Sequence, residues 1–198
     1  MVISDNLISI KGQLFKVIAN RPRLLILGIG ENRMGDDGAG PWVSFMLYKQ
    51  FHEPSVKIIN GGITPEERIQ EIIDFHPNVM LLIDAVVMDH PPGSVHLLPD
   101  SVMRNYLPIS SHTLPLPVFV DRCKANIKGM HAYLLGIVPY ALDFLDYYVL
   151  FHEDQYDLDQ KEADPNIPFY AFNLSPQMRQ ICEDLVKILE ELLRSYLI

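Results

Sequence analysis

Three polar residues, far apart in the sequence, stand where catalytic or metal-binding chemistry could occur. Asp37 lies in a glycine-rich stretch that follows an apolar run, Asp84 directly follows five apolar residues, and His112 lies in a Ser/Thr-rich stretch. A carboxylate at the end of a buried apolar segment is costly to desolvate unless it is paired or bound to a metal. Each residue alone also has a structural interpretation: a helix-terminal charge, a capped loop carboxylate and a solvated imidazole, respectively.

Together, the three residues could coordinate a metal ion. Two carboxylate oxygens and one imidazole nitrogen are hard-to-borderline ligands, which suit Ni²⁺, Zn²⁺ or Mn²⁺. Three protein ligands leave positions open for water or substrate, as reactive metal sites require. The neighbouring carboxylate of Asp36 is a candidate for orienting Asp37.

Other chemistries fit the sequence less well. A dinucleotide-binding G-x-G-x-x-G fingerprint fails because Arg33 occupies the third glycine position, and two aspartates follow where a pyrophosphate would have to bind. The glycines of this stretch instead favour a loop that turns with positive φ and passes close to another backbone. The sequence has no G-x-S-x-G elbow, and Cys123 and Cys182 fall on predicted apolar helix faces, where core packing explains them.

The elements that must position these residues begin with a set of buried strands. Continuous apolar runs without alternation are typical of strands covered on both faces. Four such runs occupy residues 24–27, 56–59, 79–83 and 133–137, and a shorter one occupies residues 95–98.

Helical patterns separate the runs. Apolar residues at helical spacing predict helices over residues 5–18, 41–51, 65–73, 116–127 and 176–192. Gly12 leaves a short hairpin open for the first segment, and Thr64 with Glu67 has the pattern of a capping box. The alternation predicts an α/β fold of three layers, with a mostly parallel sheet and helices on both faces. In such a fold the loops after the strands converge on one edge, which would bring Asp37, Asp84 and His112 together.

Composition and charge narrow the class of protein. We expect one domain over the 198 residues, and a monomer or weak oligomer. The net charge of −9 argues against a nucleic-acid-binding surface. No run of 18 apolar residues exists, which argues against membrane insertion. Two distant cysteines and no secretory leader pattern predict a cytoplasmic location.

One acidic segment interrupts the pattern of strands and helices. Residues 151–172 carry six acidic residues against one lysine, a net charge of −5, and contain two prolines. We interpret the segment as an inserted loop. It is either a solvated surface excursion or a loop or lid that faces a partner.

Six sequence blocks, in order along the chain, resemble the nickel–iron hydrogenase maturation endopeptidases. The first is Gly28-x-Gly30-x-x-x-x-Gly35-Asp36-Asp37-Gly38-x-Gly40. The others are residues 60–66 (NGGITPE), residues 82–85 (LIDA) with Pro92-Gly93, residues 112–116 (HTLPL), residues 135–139 (LGIVP) and residues 174–176 (LSP). Their number and spacing make the resemblance specific, although Glu31 replaces a usual asparagine and Val138 a usual glutamine.

The resemblance implies an endopeptidase that removes the C-terminal extension of the [NiFe] hydrogenase large-subunit precursor after nickel insertion. It assigns metal contact and catalysis to Asp37, Asp84 and His112, the set that the topology argument selects. It also implies a protease that is metal-free at rest and senses the nickel of the precursor. A resident divalent metal such as zinc stays open, and so does the alternative of a non-catalytic chaperone that binds the large-subunit tail.

Overall fold

Five strands form one sheet in the part of the chain that this computed structural model describes, which is residues 4–20, 22–104, 114–142, 166 and 172–197. In chain order they are β1 Leu24–Ile29, β2 Val56–Gly62, β3 Val79–Ala85, β4 Val95–Pro99 and β5 His131–Ile137. The spatial order is β2-β1-β3-β5-β4. Strands β1, β2, β3 and β5 are parallel, and β4 runs antiparallel to β5 at the sheet edge.

Helices cover both faces of this sheet. Those of the described ranges are α1 Asp5–Ile18, α2 Ala39–Tyr48, α3 Ile69–Phe75, α4 Asp100–Met103, α5 Leu116–Asn126 and α6 Pro176–Leu193. Helices α1, α2 and α6 share one apolar core with the sheet, and α3, α4 and α5 share the other. The predicted three-layer α/β fold is confirmed. None of these helices combines the length and the apolar character that crossing a membrane requires.

The central strand β1 shows why its apolar run has no alternation. Leu24 and Ile26 pack into the core of α1, α2 and α6, whereas Leu25 and Leu27 pack into the core of α3 and α5. All four side chains are buried. Because successive side chains of a strand point to opposite faces, a strand covered on both sides needs an apolar residue at every position.

Two local predictions are settled by capping contacts. The first segment is a helix and not a hairpin: the Ser4 hydroxyl accepts a hydrogen bond from the Leu7 amide at 3.3 Å and caps α1. The predicted capping box at Thr64 is wrong. Residues Pro65–Arg68 form a 3₁₀ turn in which the Glu67 amide donates to the Thr64 carbonyl at 3.1 Å, and the Thr64 side chain caps nothing.

The acidic segment 151–172 lies outside the described residues except for Asn166 and Phe172. The buried side-chain oxygen of Asn166 accepts hydrogen bonds from the Asn60 amide at 3.0 Å and from the Arg68 guanidinium at 3.2 Å. Phe172 packs against Phe45, with ring centroids 6.1 Å apart. Asn166 of the acidic segment is therefore hydrogen-bonded near the carboxyl end of β2. The prediction of a single domain over residues 1–198 stays a prediction.

Two glycines let α2 lie directly on the strand ends. A Cβ on Gly28 of β1 would lie 2.2 Å from the Gly40 carbonyl oxygen, and a Cβ on Gly40 would lie 2.1 Å from the Ile83 carbonyl oxygen. Both neighbours are backbone atoms, which cannot rotate away. The close approach that the sequence predicts for these glycines is confirmed.

We predict that Gly40→Ala lowers the free energy of unfolding by about 2 kcal/mol or more, because the new methyl group must push α2 off the sheet. Urea unfolding followed by circular dichroism measures it. Gly12→Ala is the matched control: Gly12 is exposed within α1 with no atom within 4 Å of the added carbon. That change should stabilise the protein by about 0.5–1 kcal/mol. Equal effects of the two substitutions would contradict the close packing.

Candidate active site

Asp37 is held at the carboxyl end of β1. It lies in the 3₁₀ turn Gly35–Gly38 between β1 and α2, and its side chain is fully buried. Its Oδ2 accepts a hydrogen bond from the Glu31 amide at 2.6 Å. Gly30 has φ +132°, and a Cβ there would lie 2.0 Å from the Asp37 carbonyl oxygen. The positive end of the α2 dipole, which begins two residues later, stabilises a carboxylate at this position.

Asp84 is the penultimate residue of β3, the strand next to β1. It is fully buried and pairs with Gly136 of β5. Since Ile83 pairs with Gly28, Asp84 stands at the level where β1 ends. The turn that carries Asp37 contacts β3 directly. The structure therefore places both buried carboxylates at the carboxyl ends of adjacent strands.

The third predicted site residue, His112, lies outside the described residues. Helix α5, which follows it in the sequence, leads back to the start of β5 at His131, so α5 runs antiparallel to β5. Its first residue, Leu116, therefore lies toward the edge that carries Asp84. Within the described ranges, no three His, Cys, Asp or Glu side chains come together as a metal-binding group.

The two buried aspartates fit the oxygen-donor part of a divalent-metal site. Carboxylate oxygens are ligands for hard and borderline divalent cations. Both side chains are fully buried at one edge of the sheet, where an ion would be shielded from bulk water. The roles of Asp37 and Asp84 as ligands stay predictions.

Comparison with known proteins identifies the family. The sequence model of the family described as hydrogenase maturation protease (HycI) matches residues 42–150, which is more than half of the chain. This chain belongs to the hydrogenase maturation protease family. Asp84 and His112 fall within the matched residues, and Asp37 lies just before them.

Individual relatives agree with this assignment. The hydrogenase 3 maturation protease of Escherichia coli K12 is 32% identical to this chain over 122 residues, which are 61% of this chain and 75% of that protein. The solved [NiFe] hydrogenase maturation protease HycI from Thermococcus kodakarensis has a TM-score of 0.70 at 23% identity, covering 92% of this chain and 99% of that one. The hydrogenase maturating endopeptidase HybD of E. coli gives 0.61 at 19%, covering 88% and 93%. At these identities the two structures support the fold.

In this maturation protease Asp36 has a different role from its neighbour. Its carboxylate is fully buried and accepts hydrogen bonds from the amides of Tyr140 (2.8 Å), Ala141 (3.0 Å) and Ser175 (2.8 Å) and from the Ser175 hydroxyl (3.0 Å). Asp36 thus joins the loop after β1 to the loop after β5 and to the first turn of α6. Asp36 and Asp37 share one turn, and the prediction that Asp36 orients Asp37 stays a prediction.

Sequence reasoning missed this link. Ser175 followed by proline signals the start of a helix, and its hydroxyl does cap α6 by accepting from the Met178 amide at 3.3 Å. Nothing local signals that its partner is Asp36, which is 139 positions away.

Two departures from the family pattern, Glu31 and Val138, keep hydrogen-bonded positions in the loops around the site. Glu31 supplies the amide that binds Asp37, and its side chain pairs with Arg33 at 3.2 Å. Val138 is buried, its amide donates to the Ser94 carbonyl at 3.0 Å, and its carbonyl accepts from the Gly93 amide at 2.7 Å.

The cysteines are unsuited to nucleophilic attack. Both Cys123 and Cys182 are buried and unbridged. Burial raises the pKa of the Cys123 thiol to about 11. Burial also raises the pKa of Cys182, and the negative charge of Asp36 raises it further. Neither thiol is ionised near neutral pH, so the maturation protease has no thiolate nucleophile at these positions.

We predict that Asp36→Asn lowers the free energy of unfolding by about 2–4 kcal/mol, because an amide must turn an N–H group toward one set of donors. Ser175→Ala should cost about 1–2 kcal/mol through the lost cap and hydroxyl bond. Urea unfolding of both variants and of the double variant measures the effects, and the double should lose less than the sum of the singles.

Asp74→Asn is the control for this pair, since Asp74 is an exposed carboxylate that accepts a hydrogen bond from the Gln70 side chain one helical turn away. Its stability should stay within about 0.5 kcal/mol of wild type. An Asp36→Asn variant as stable as the control would contradict the structural role of Asp36.

Proposed function

We propose that this maturation protease is an endopeptidase that removes the C-terminal extension of the [NiFe] hydrogenase large-subunit precursor after nickel has been inserted. The observation that carries the proposal is the burial of Asp37 and Asp84 at the ends of adjacent strands in a chain of this family. Two such carboxylates can serve hydrolysis as metal ligands or as a proton acceptor for water. We propose His112 as the third member of the site.

The support for His112 comes from its place in the sequence. It stands two positions before Leu114, which packs against the core that includes α5. By alternation along β3, Asp84 belongs to the same face of the sheet as Met80 and Leu82, which line that core. A residue that enters α5 from the carboxyl edge is therefore within short chain reach of Asp84.

Two mechanisms use the same residues. In the first, Asp37, Asp84 and His112 hold a resident divalent ion such as zinc. Such an ion, when bound, would polarise the scissile carbonyl and acidify water. In the second, the protease is metal-free at rest and the three side chains recognise nickel already present in the precursor.

The proton transfers fall to the carboxylates in the second mechanism. One carboxylate takes a proton from the attacking water as the water oxygen bonds to the scissile carbon. The C–N bond then breaks, and the proton passes to the leaving amine. Burial of the two carboxylates strengthens their attraction for the positive charge that develops on the attacking water as it loses its proton.

The cytoplasm is the proposed compartment. Two buried cysteines that are not bridged to each other fit a reducing environment. The expectation of a monomer or weak oligomer stays a prediction.

We predict that the variants Asp37→Asn, Asp84→Asn and His112→Ala each fold. Each should cut the nickel-loaded precursor at least 100-fold more slowly than wild type, because each removes a charge or ligand that hydrolysis requires. Intact-mass spectrometry of the precursor over time measures the loss of the C-terminal extension, and circular dichroism confirms the fold.

Asp74→Asn and His131→Ala are the matched controls. Both side chains are exposed. His131 begins β5, so it lies at the amino end of the parallel strands, away from the proposed site. If wild-type protein forms a stable complex with the precursor and the precursor keeps its mass, the endopeptidase proposal is wrong and the protein is a tail-binding chaperone. Normal processing by the three site variants would refute the residue assignment.

A second prediction separates the two mechanisms. We expect protease stripped with a chelator and then freed of it to cut nickel-loaded precursor at the rate of untreated protein, and to leave nickel-free precursor uncut, because nickel enters with the substrate. The same mass assay measures both. Loss of activity on stripping, with recovery on adding Zn²⁺, would contradict a nickel-sensing protease and support a resident ion.

A further inference from the structure

Each loop that follows one of the four parallel strands carries one large apolar side chain that is exposed to solvent. The described residues contain seven such side chains, and four of them lie in the loops after β1, β2, β3 and β5, one in each loop. These four residues, called the apolar rim below, are Met34, Ile63, Val87 and Tyr140. The other three are on helices: Ile8 and Phe15 on α1 and Val118 on α5.

Two members of the apolar rim are tied to the turn that carries Asp37. The Met34 carbonyl accepts a hydrogen bond from the Asp37 amide at 3.1 Å. The Tyr140 amide donates to the Asp36 carboxylate at 2.8 Å. The Tyr140 hydroxyl also lies over Gly93, where an added Cβ would be 2.2 Å from it. Tyr140 is therefore held in place although its side chain is exposed.

The other two members are also connected to the site. Ile63 follows Gly62, whose carbonyl accepts from the Gly30 amide at 3.1 Å, and Gly30 packs against Asp37. Val87 stands three residues after Asp84. Each loop that helps to form the site thus also presents one apolar side chain to solvent.

The distance across the strand ends equals the length of a short extended peptide. Neighbouring strands lie about 4.8 Å apart, so the ends of four adjacent strands span about 14 Å. An extended chain advances about 3.3–3.6 Å per residue and crosses that distance in about four residues. The rim side chains are 43–59% exposed. Scattered exposed apolar residues are ordinary, but here each of the four neighbouring loops at the carboxyl ends of the strands carries one, next to the buried aspartates.

We propose that the apolar rim determines the specificity of this protease by binding a short, extended, apolar segment of the precursor beside the scissile bond. The inference rests on the proposed function. The four rim side chains are uncharged, so they would select by apolar contact. The bound segment would shield the site from bulk water and leave the attacking water in place. An extended segment also presents its backbone to the carboxylates, as hydrolysis requires.

Steady-state kinetics on nickel-loaded precursor test the proposal. Val87→Ser and Tyr140→Ser should each raise KM about tenfold and leave kcat within about twofold, since one lost apolar contact weakens ground and transition states alike. The double variant should raise KM by about 50-fold or more. Val87→Ile should keep the wild-type KM. If Val87→Ser fails to fold, the isosteric Val87→Thr carries the same expectation.

Ile8→Ser and Phe15→Ser are the matched controls, because they make the same change of polarity on the exposed face of α1. Their KM should equal that of wild type. If wild type cuts the precursor and the rim variants show the KM of the controls, the apolar rim is not a specificity surface and the proposed function still stands. If wild type leaves the precursor uncut, the proposed function falls and this inference falls with it.

Discussion

The buried carboxylate of Asp36 joins three parts of the chain that are distant in sequence. Through four hydrogen bonds it ties the loop after β1 to the loop after β5 and to the start of α6. A buried carboxylate is stable only when its oxygens are satisfied, so each of these segments must keep its position for the others to keep theirs. The adjacent residue is Asp37, and its geometry depends on this junction.

The close approach of α2 to the sheet completes the support of the site. Gly28 and Gly40 bring the first turn of α2 against the ends of β1 and β3, the strands that lead to the two site aspartates. The turn that carries Asp37 is thereby held on one side by Asp36 and on the other by α2. Buried carboxylates oppose folding, and the tight packing around them offsets part of that cost. Two of the loops that meet at this junction also carry Met34 and Tyr140 of the apolar rim.

Much of this architecture could be predicted because the relevant signals are local. The apolar runs of β1 and β3 identify strands covered on both faces, and an aspartate at the end of such a run marks a strand end. The hairpin left open for the first segment and the capping box at Thr64 depended on details that periodicity does not carry. The pairing of Asp36 with Ser175 was beyond sequence reasoning, since partners so far apart are brought together by the packing of α6 and not by any local pattern. The exposed side chains of the apolar rim were missed for the same reason, because exposure is a property of the folded surface.

We propose that Asp37, Asp84 and His112 meet around one ion at the carboxyl ends of the parallel strands. Anomalous X-ray diffraction from crystals of the protease soaked in Zn²⁺ tests it directly. We expect one strong peak at the carboxyl ends of the strands, with an oxygen of each aspartate and a nitrogen of His112 at about 2.0–2.2 Å from it. A peak bound elsewhere, or three side chains too far apart to share an ion, would refute this shared site.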